Sequence, residues 1–210
     1  MTMSLPPVPR RTQADRSAAT RAKVLQAAVG LLQTEGYAAT TIQRIARTAG
    51  ISLGALQHQY PTKSMIMATI LRHYAVRRAR LYRQAMSLKA SPEARVDAML
   101  DALWGMVTDG PDFIATVEIE LARRSDPELQ AATASVLGRI DQFMTRWLSG
   151  SRTTPPDVRF ISLRLLNSAL LRGVAVEIAR GTPASALKDA YAIWREFSRQ
   201  ELLKISTDRG

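Results

Sequence analysis

The side chains best suited to specific chemistry in this chain are two glutamines, Gln57 and Gln59, which flank His58. A glutamine amide offers a donor and an acceptor side by side, and this pair matches the N7 and N6 edge of adenine in the DNA major groove. Gln57 is therefore the first candidate for reading a base, and Gln59 is a weaker one. His58 suits either a base or a phosphate. Just before them, Gly54 and Ala55 would let the backbone approach closely, and the Ala55 side chain could contact a thymine methyl group.

Residue types that carry catalysis are scarce. The chain has no cysteine and two histidines, one of which is His58. It contains no glycine-rich phosphate loop and no cluster of histidines and carboxylates with metal-ligand spacing. Asp97 and Asp101 lie four residues apart, as solvated carboxylates on a helix often do. We therefore expect no enzyme activity, no metal and no cofactor, and an all-helical enzyme is the weakest alternative.

The stretch that begins at Thr40 predicts two short helices joined by a tight turn. Thr40 and Gln43 have the spacing of a capping box, so the first helix is expected to begin there. Gly50 suits a helix end that needs positive φ, Ser52 is a cap for the second helix, and Pro61 ends it. Two helices joined in this way predict a helix-turn-helix, whose second helix enters the major groove.

Charge is distributed unevenly along the chain. Residues 1–83 contain 13 of the 29 Lys and Arg residues but 2 of the 18 Asp and Glu residues, whereas residues 84–210 contain 16 of each sign. A basic N-terminal part on a neutral body is typical of proteins that bind the phosphate backbone. A solvated basic surface and a nucleoid-type protein without sequence preference are the alternatives. The second of these would not need the long neutral part.

The motif resembles the TetR family of one-component transcriptional regulators. The resemblance covers residues 16–66 and is carried by Gly50-Ile51-Ser52-x-Gly54-x-Leu56, by Tyr60-Pro61-Thr62-Lys63, and by Leu31-Leu32-Gln33-Thr34-Glu35-Gly36-Tyr37. The family often has two aromatic residues and a His after the leucine, where this chain has Gln57-His58-Gln59, so the family's base preference cannot be carried over. The resemblance implies that Thr40, Thr41, Ser52, Tyr60 and Lys63 hold phosphates. The full set of predicted DNA contacts is Thr40, Thr41, Gln43, Arg44, Ser52, Leu53, Gly54, Ala55, Gln57, His58, Gln59, Tyr60 and Lys63.

The chain is predicted to have three parts. Residues 1–15 form a disordered arm, residues 16–66 a helix-turn-helix domain, and residues 67–210 a helical domain for effector binding and dimerisation. A long helix from Thr62 to about Ser87 joins the two domains. Beyond it, Ser, Thr or Asp stands directly before Pro at four places, which is the preferred order at a helix start. These breaks predict helices over about residues 92–108, 112–124, 127–149, 156–180 and 183–205. No segment alternates with period two, so the expected fold class is all-α.

The last two predicted helices carry apolar residues on more than one side, and each such side must be covered. The resemblance implies that they pair with those of a second copy as a four-helix bundle, although the pattern itself does not separate an interface from a core. A homodimer would read a palindromic operator, because one short helix reads too few bases. The predicted interface residues are Leu163, Leu166, Leu170, Val174, Leu187, Tyr191, Trp194 and Phe197.

Polar residues within apolar helix stripes are candidate effector contacts, because a buried polar group must find a partner. Glu118 and Asn167 are such residues, and either an effector or the protein itself could satisfy them. Glu118 would favour a cationic or hydroxylated effector if it points inward. A DNA-binding protein whose second domain only dimerises is the alternative. The predicted pocket for a small apolar or aromatic effector consists of Met99, Leu103, Trp104, Phe113, Val117, Glu118, Leu121, Leu163 and Asn167.

No apolar run approaches the ~20 residues that span a bilayer, and the first residues lack the apolar segment of a secretion signal. The sequence therefore predicts a cytoplasmic protein without a membrane partner. The expected function is that of a sequence-specific transcriptional regulator, acting as a repressor.

Overall fold

The computed structural model describes residues 12–110, 112–148 and 158–207, and every regular element in these ranges is an α-helix. This confirms the predicted all-α fold class. No helix in the described ranges is long and apolar enough to cross a membrane. The helices are α1 (Gln13–Ala39), α2 (Ile42–Ala49), α3 (Leu53–Gln59), α4 (Lys63–Met86), α5 (Pro92–Thr108), α6 (Asp112–Ala122), α7 (Pro127–Leu148), α8 (Val158–Ala179) and α9 (Ala184–Thr207).

Helix α1 begins inside the predicted disordered arm, because a capping box forms there. The Thr12 hydroxyl accepts from the backbone N–H of Asp15 at 3.2 Å, and the Asp15 carboxylate accepts from the N–H of Thr12 at 3.0 Å. Residues 1–11 of the predicted arm lie outside the described residues. Near its other end α1 is interrupted at Gly36, whose φ of 77° is non-helical, and it resumes as far as Ala39.

The helix-turn-helix is built from α2 and α3, with one correction to the predicted caps. Thr41, not Thr40, caps α2, by accepting from the N–H of Arg44 at 3.2 Å. Thr40 is fully buried and donates its hydroxyl to the Gly36 carbonyl at 2.7 Å. The turn agrees with the prediction, since Gly50 ends α2 with a φ of 67° and Ser52 caps α3.

Two apolar clusters form the interior. The first contains the inner faces of α1 to α4 together with Ala115 and Ile119 from α6 and Leu129 and Val136 from α7. The second joins α5, α6, α8 and α9, with Tyr74 of α4 packed against it. Helix α4 therefore contacts both clusters, and α6 and α7 add apolar side chains to the core of the helix-turn-helix.

The predicted helix starts before proline are found at two of the four places. Ser91 caps α5 and Asp126 caps α7, where its carboxylate accepts from the N–H of Leu129 at 2.9 Å. Thr182 instead donates its hydroxyl to Glu177 at 2.6 Å, and α9 begins after Pro183. The fourth predicted start, residues 154–155, lies outside the described residues.

Candidate nucleic-acid interface and small-molecule cavity

Helix α3 separates an inner face from an outer face. Leu56 is fully buried in the first cluster, whereas Leu53, Gly54, Ala55, Gln57 and His58 are exposed. Residues three apart lie near each other on a helix, so periodicity alone does not choose between Leu53 and Leu56. Tertiary packing buries Leu56 and leaves Leu53 37% exposed. The predicted base-reading residues, apart from Gln59, therefore lie on the solvent side of the helix.

Thr41 and Ser52 cap the N-termini of α2 and α3. Thr41, Gln43 and Ser52 are exposed, and free backbone N–H groups at helix starts favour phosphate oxygens. Arg44 is less available, because its guanidinium is ion-paired with the Glu35 carboxylate at 2.5 Å. Thr41, Gln43, Ser52 and Arg44 remain predicted DNA contacts. In the protein without DNA, Glu35 neutralises the charge of Arg44.

Four predicted contacts have structural roles within the protein. Thr40 is fully buried and Tyr60 is 7% exposed, so the prediction of phosphate contact is wrong for Thr40 and Tyr60 belongs to the core. The Gln59 amide donates to the Ser17 hydroxyl at 3.2 Å. Lys63 donates to the Tyr37 carbonyl at 2.7 Å, and its ammonium lies 3.4 Å from the centroid of the Tyr37 ring. These side chains hold α1, α3 and α4 together.

Sequence reasoning missed several exposed cations near this surface. Arg47 is exposed in the last turn of α2, and Arg16, Arg21 and Lys23 are exposed near the start of α1. The contact between Ser17 and Gln59 brings the start of α1 beside the end of α3. The charge excess of residues 1–83 indicated such cations, but only the packing of α1 places them at the interface.

Tyr37, Lys63, Glu118 and Asp126 form a polar cluster, here called the Tyr37 cluster, that joins α1 to α4, α6 and α7. The backbone N–H of Tyr37 donates to the Glu118 carboxylate at 2.9 Å, and the Tyr37 hydroxyl donates to Asp126 at 2.6 Å. The backbone N–H of Leu129 and the Tyr37 hydroxyl lower the pKa of Asp126. Burial lowers the pKa of Lys63 and, together with Asp126, raises that of Tyr37. Glu118 is thus satisfied by the protein and does not line the cavity described next.

A cavity of about 80 Å³ lies between α4, α5, α6, α8 and α9. Five of the nine predicted effector contacts line it, which are Met99, Leu103, Phe113, Leu163 and Asn167. The other lining residues were not predicted, because only the packing of α4, α5, α6, α8 and α9 around the cavity brings them to one place. They are Tyr74, Arg78, Tyr82, Thr116, Glu120, Phe160, Arg164, Ser168, Leu171, Arg172 and Leu202.

The remaining predicted contacts lie elsewhere. Trp104 stacks on Trp194, with ring centroids 5.8 Å apart. Val117 is buried in the second cluster, and Leu121 is 56% exposed. Trp104, Val117, Glu118 and Leu121 are therefore corrected, because each is engaged in packing, pairing or solvent contact away from the cavity.

Asn167 faces the cavity and is also held by α9. Its side-chain oxygen accepts from the Trp194 indole N–H and from the Ser198 hydroxyl, both at 2.9 Å. The amide is thereby fixed in orientation, since its oxygen is committed to two donors. The protein itself therefore satisfies the Asn167 oxygen, at the wall of the cavity.

Helices α8 and α9 leave several large apolar side chains exposed, and this set is here called the α8–α9 apolar face. Among the predicted interface residues, Leu166, Leu170 and Phe197 are on this face, with exposures of 58%, 40% and 50%. Leu163, Val174 and Trp194 are buried within their own chain and are corrected to core residues. Leu187 and Tyr191 are half-buried against the second cluster. The face also contains Val158, Ile161, Leu165, Val176 and Ile193, which were not predicted.

Comparisons with known proteins agree with this geometry. Residues 24–70 match the family model described as bacterial regulatory proteins of the tetR family. The chain is similar to the HTH-type transcriptional regulator CymR of Pseudomonas putida, with 34% identity over 122 residues, but the match spans 58% of this chain and only 59% of CymR. It is 28% identical over 180 residues to the HTH-type transcriptional repressor Rv1474c of Mycobacterium tuberculosis, covering 80% and 86% of the two chains. Salmonella enterica GusR has a similar fold, with a TM-score of 0.67 and 19% identity over 92% of this chain and 97% of that one.

Proposed function

Because the chain belongs to the TetR family, whose members are transcription regulators and not enzymes, we propose that it is a homodimeric cytoplasmic repressor. Its affinity for a palindromic operator would change when a small, largely apolar effector occupies the cavity. The observation that carries this proposal is the exposed outer face of α3. The same chain has a cavity between α4, α5, α6, α8 and α9 and leaves the α8–α9 apolar face exposed.

In the proposed DNA complex, side chains on the outer face of α3 read bases, and the N-termini of α2 and α3 bind phosphates. Gln57 and His58 face outward where a major-groove helix meets base edges, and Ser52 and Thr41 stand at helix starts that suit phosphates. Helix α3 has seven residues, which reach only a few base pairs. A second copy of the helix, related by two-fold symmetry, doubles the sequence that is read.

The α8–α9 apolar face supplies the dimer contact. Leu165 and Ile193 are 64% and 74% exposed, and soluble monomers rarely leave so many large apolar side chains together in water. The same face on a second copy is a self-complementary partner for a two-fold interface. The resulting arrangement is a four-helix bundle of α8 and α9 from both protomers.

Effector binding must move helices, because the cavity is small. Pockets for small molecules usually have volumes of about 300–1,000 Å³, well above the roughly 80 Å³ present here. Widening it displaces α4, α6 or α8. Helix α4 packs into the helix-turn-helix through Ile66 and Met67, and α6 holds α1 through Glu118. Coupling of about 1–3 kcal/mol through these contacts would change operator affinity roughly 5–150-fold.

Selection from random DNA duplexes at fixed salt tests the proposal. A regulator of this kind enriches an inverted repeat, whereas a nucleoid-type protein binds all duplexes alike. A thermal-shift screen of metabolites, followed by operator titrations with each hit, then tests the effector. Hits that raise the melting temperature but leave operator affinity unchanged would favour the alternative in which the second domain only dimerises.

A further inference from the structure

We propose that the effector is an amphipathic carboxylate whose negative charge is held by Arg78 and Arg164, a specificity that rests on the proposed function. The cavity wall carries positive charge without a close counterion among the described residues. An anionic effector takes the place of the cationic or hydroxylated one expected from Glu118, whose carboxylate is bound to the backbone N–H of Tyr37.

Part of the cavity lining is apolar. Met99 and Leu103 of α5, Phe113 of α6 and Leu163 and Leu171 of α8 line it. Phe113 is also held edge-on against Tyr74, with ring centroids 5.5 Å apart. This wall suits an alkyl chain or an aromatic ring.

The charged lining consists of three arginines and one carboxylate. Arg172 and Glu120 neutralise each other, with their charged atoms 2.8 Å apart. Arg78 makes no hydrogen bond or ion pair with any described residue. Arg164 has only a loose contact with Asp141, at 3.8 Å, and Asp141 is 69% exposed, so this pair is largely screened by water. Two cationic groups at the cavity are thus without a close counterion among the described residues.

The neutral polar groups at the cavity favour an anion as well. Burial raises the pKa of Tyr74, so its hydroxyl remains a protonated donor, and Ser168 supplies a second hydroxyl at the wall. A carboxylate gains charge-assisted hydrogen bonds from guanidinium groups, whereas an amine would face two cations of its own sign. Discrimination of about 10–100-fold between a carboxylate and its neutral analogue is expected from such bonds.

Arg78 also borders a second hollow, a groove between α4 and α7 that is lined by Arg139 and Val136 but not by Arg164. This separation provides a matched control. Arg164→Gln changes the cavity but not the groove, and Arg139→Gln changes the groove but not the cavity.

The test uses the full chain and two sets of probes that differ only in the head group. These are octanoate, octanol and octylamine, and phenylbutyrate, phenylbutanol and phenylbutylamine. Dissociation constants are measured by titration calorimetry and melting temperatures by thermal shift. At least one carboxylate should bind about 10–100-fold more tightly than its alcohol, and its amine should not bind. Arg78→Gln and Arg164→Gln should each remove most of the preference for the carboxylate over the alcohol. In the absence of probe, both variants should keep the melting temperature of the unmodified protein. Arg139→Gln should keep the preference for the carboxylate.

Three results would overturn the assignment. In the first, the carboxylate and its alcohol bind to the protein equally well. In the second, neither carboxylate binds. In the third, Arg139→Gln loses carboxylate binding and Arg164→Gln retains it. Selection of an operator by the same preparation reports on the proposed function separately. If the protein enriches an inverted repeat but prefers neutral or cationic probes, the proposal of a carboxylate effector is refuted. The proposal that the protein binds an operator is then unaffected.

Discussion

The Glu118 carboxylate on α6 accepts a hydrogen bond at 2.9 Å from the backbone N–H of Tyr37, which follows the interruption of α1 at Gly36. A Cβ atom at position 36 would lie 3.1 Å from the same carboxylate, and the φ of 77° also favours glycine there. Glu118 thus satisfies a backbone donor that the interruption of α1 would otherwise leave free. This contact fixes α6 against the helix-turn-helix.

Glu118→Ala is expected to lower the free energy of unfolding by about 1–3 kcal/mol, because it leaves a partly buried N–H without its charged acceptor. The matched control is Glu120→Ala on the same helix, which breaks the exposed pair with Arg172 and should cost about 0–1 kcal/mol. Urea unfolding of both variants provides the comparison. Equal losses would show that the contact with Tyr37 adds nothing beyond a surface ion pair.

Asp126 should make the stability of the protein sensitive to acid. Its pKa is lowered in the folded state by the N–H of Leu129 and the hydroxyl of Tyr37, so the charged form stabilises the fold above the ordinary carboxyl pKa of about 4. That contribution is lost as the pH falls through the lowered pKa. Melting temperatures between about pH 2 and 6 should therefore fall less steeply in Asp126→Asn. Tyr37→Phe removes one of the two donors and should give an intermediate slope, and an unchanged slope in Asp126→Asn would refute this origin.

Gln57 and Arg47 should separate base reading from phosphate binding. Gln57→Ala is expected to lose about 1–3 kcal/mol of discrimination at one base pair of each half-site. Arg47→Ala is expected to weaken binding to all duplexes and to reduce the salt dependence by about one phosphate per protomer. Fluorescence anisotropy with single-base operator variants at several salt concentrations measures both effects. An unchanged base preference in Gln57→Ala would remove this residue from direct recognition.

Leu166→Glu should dissociate the dimer without unfolding the protomer, because the side chain is 58% exposed in the single chain. Leu121→Glu on α6, at 56% exposure, introduces the same charge away from the α8–α9 apolar face and should leave the dimer intact. Trp194→Ala should instead destabilise the protomer by about 3–5 kcal/mol, since Trp194 is buried and bonded to Asn167. Sedimentation velocity and circular dichroism distinguish the three variants. A dimer that survives Leu166→Glu would place the interface elsewhere.

Local sequence determined the helix-turn-helix and most helix bounds. Gly50, Ser52, Thr62 and Ser91 act through interactions within one or two turns, so their types and spacing were sufficient to predict the caps. The same reasoning chose Thr40 in place of Thr41, because two adjacent threonines have the same capping chemistry. Burial of Thr40 by packing decided between them.

Only the tertiary structure decided which side of α8, a helix with apolar residues on several sides, faces the core. It also decided which distant polar groups come into contact. The sequence of α8 shows leucines on several sides, and their pattern is the same whether a neighbouring helix or a second copy covers them. The packing of α5, α6 and α9 buries Leu163 and Leu171 and leaves Leu165 and Leu166 exposed. Likewise, no local signal brings Glu118 to Tyr37, 81 residues away, or places Arg78 and Arg164 at one cavity, because both arrangements depend on how distant helices pack.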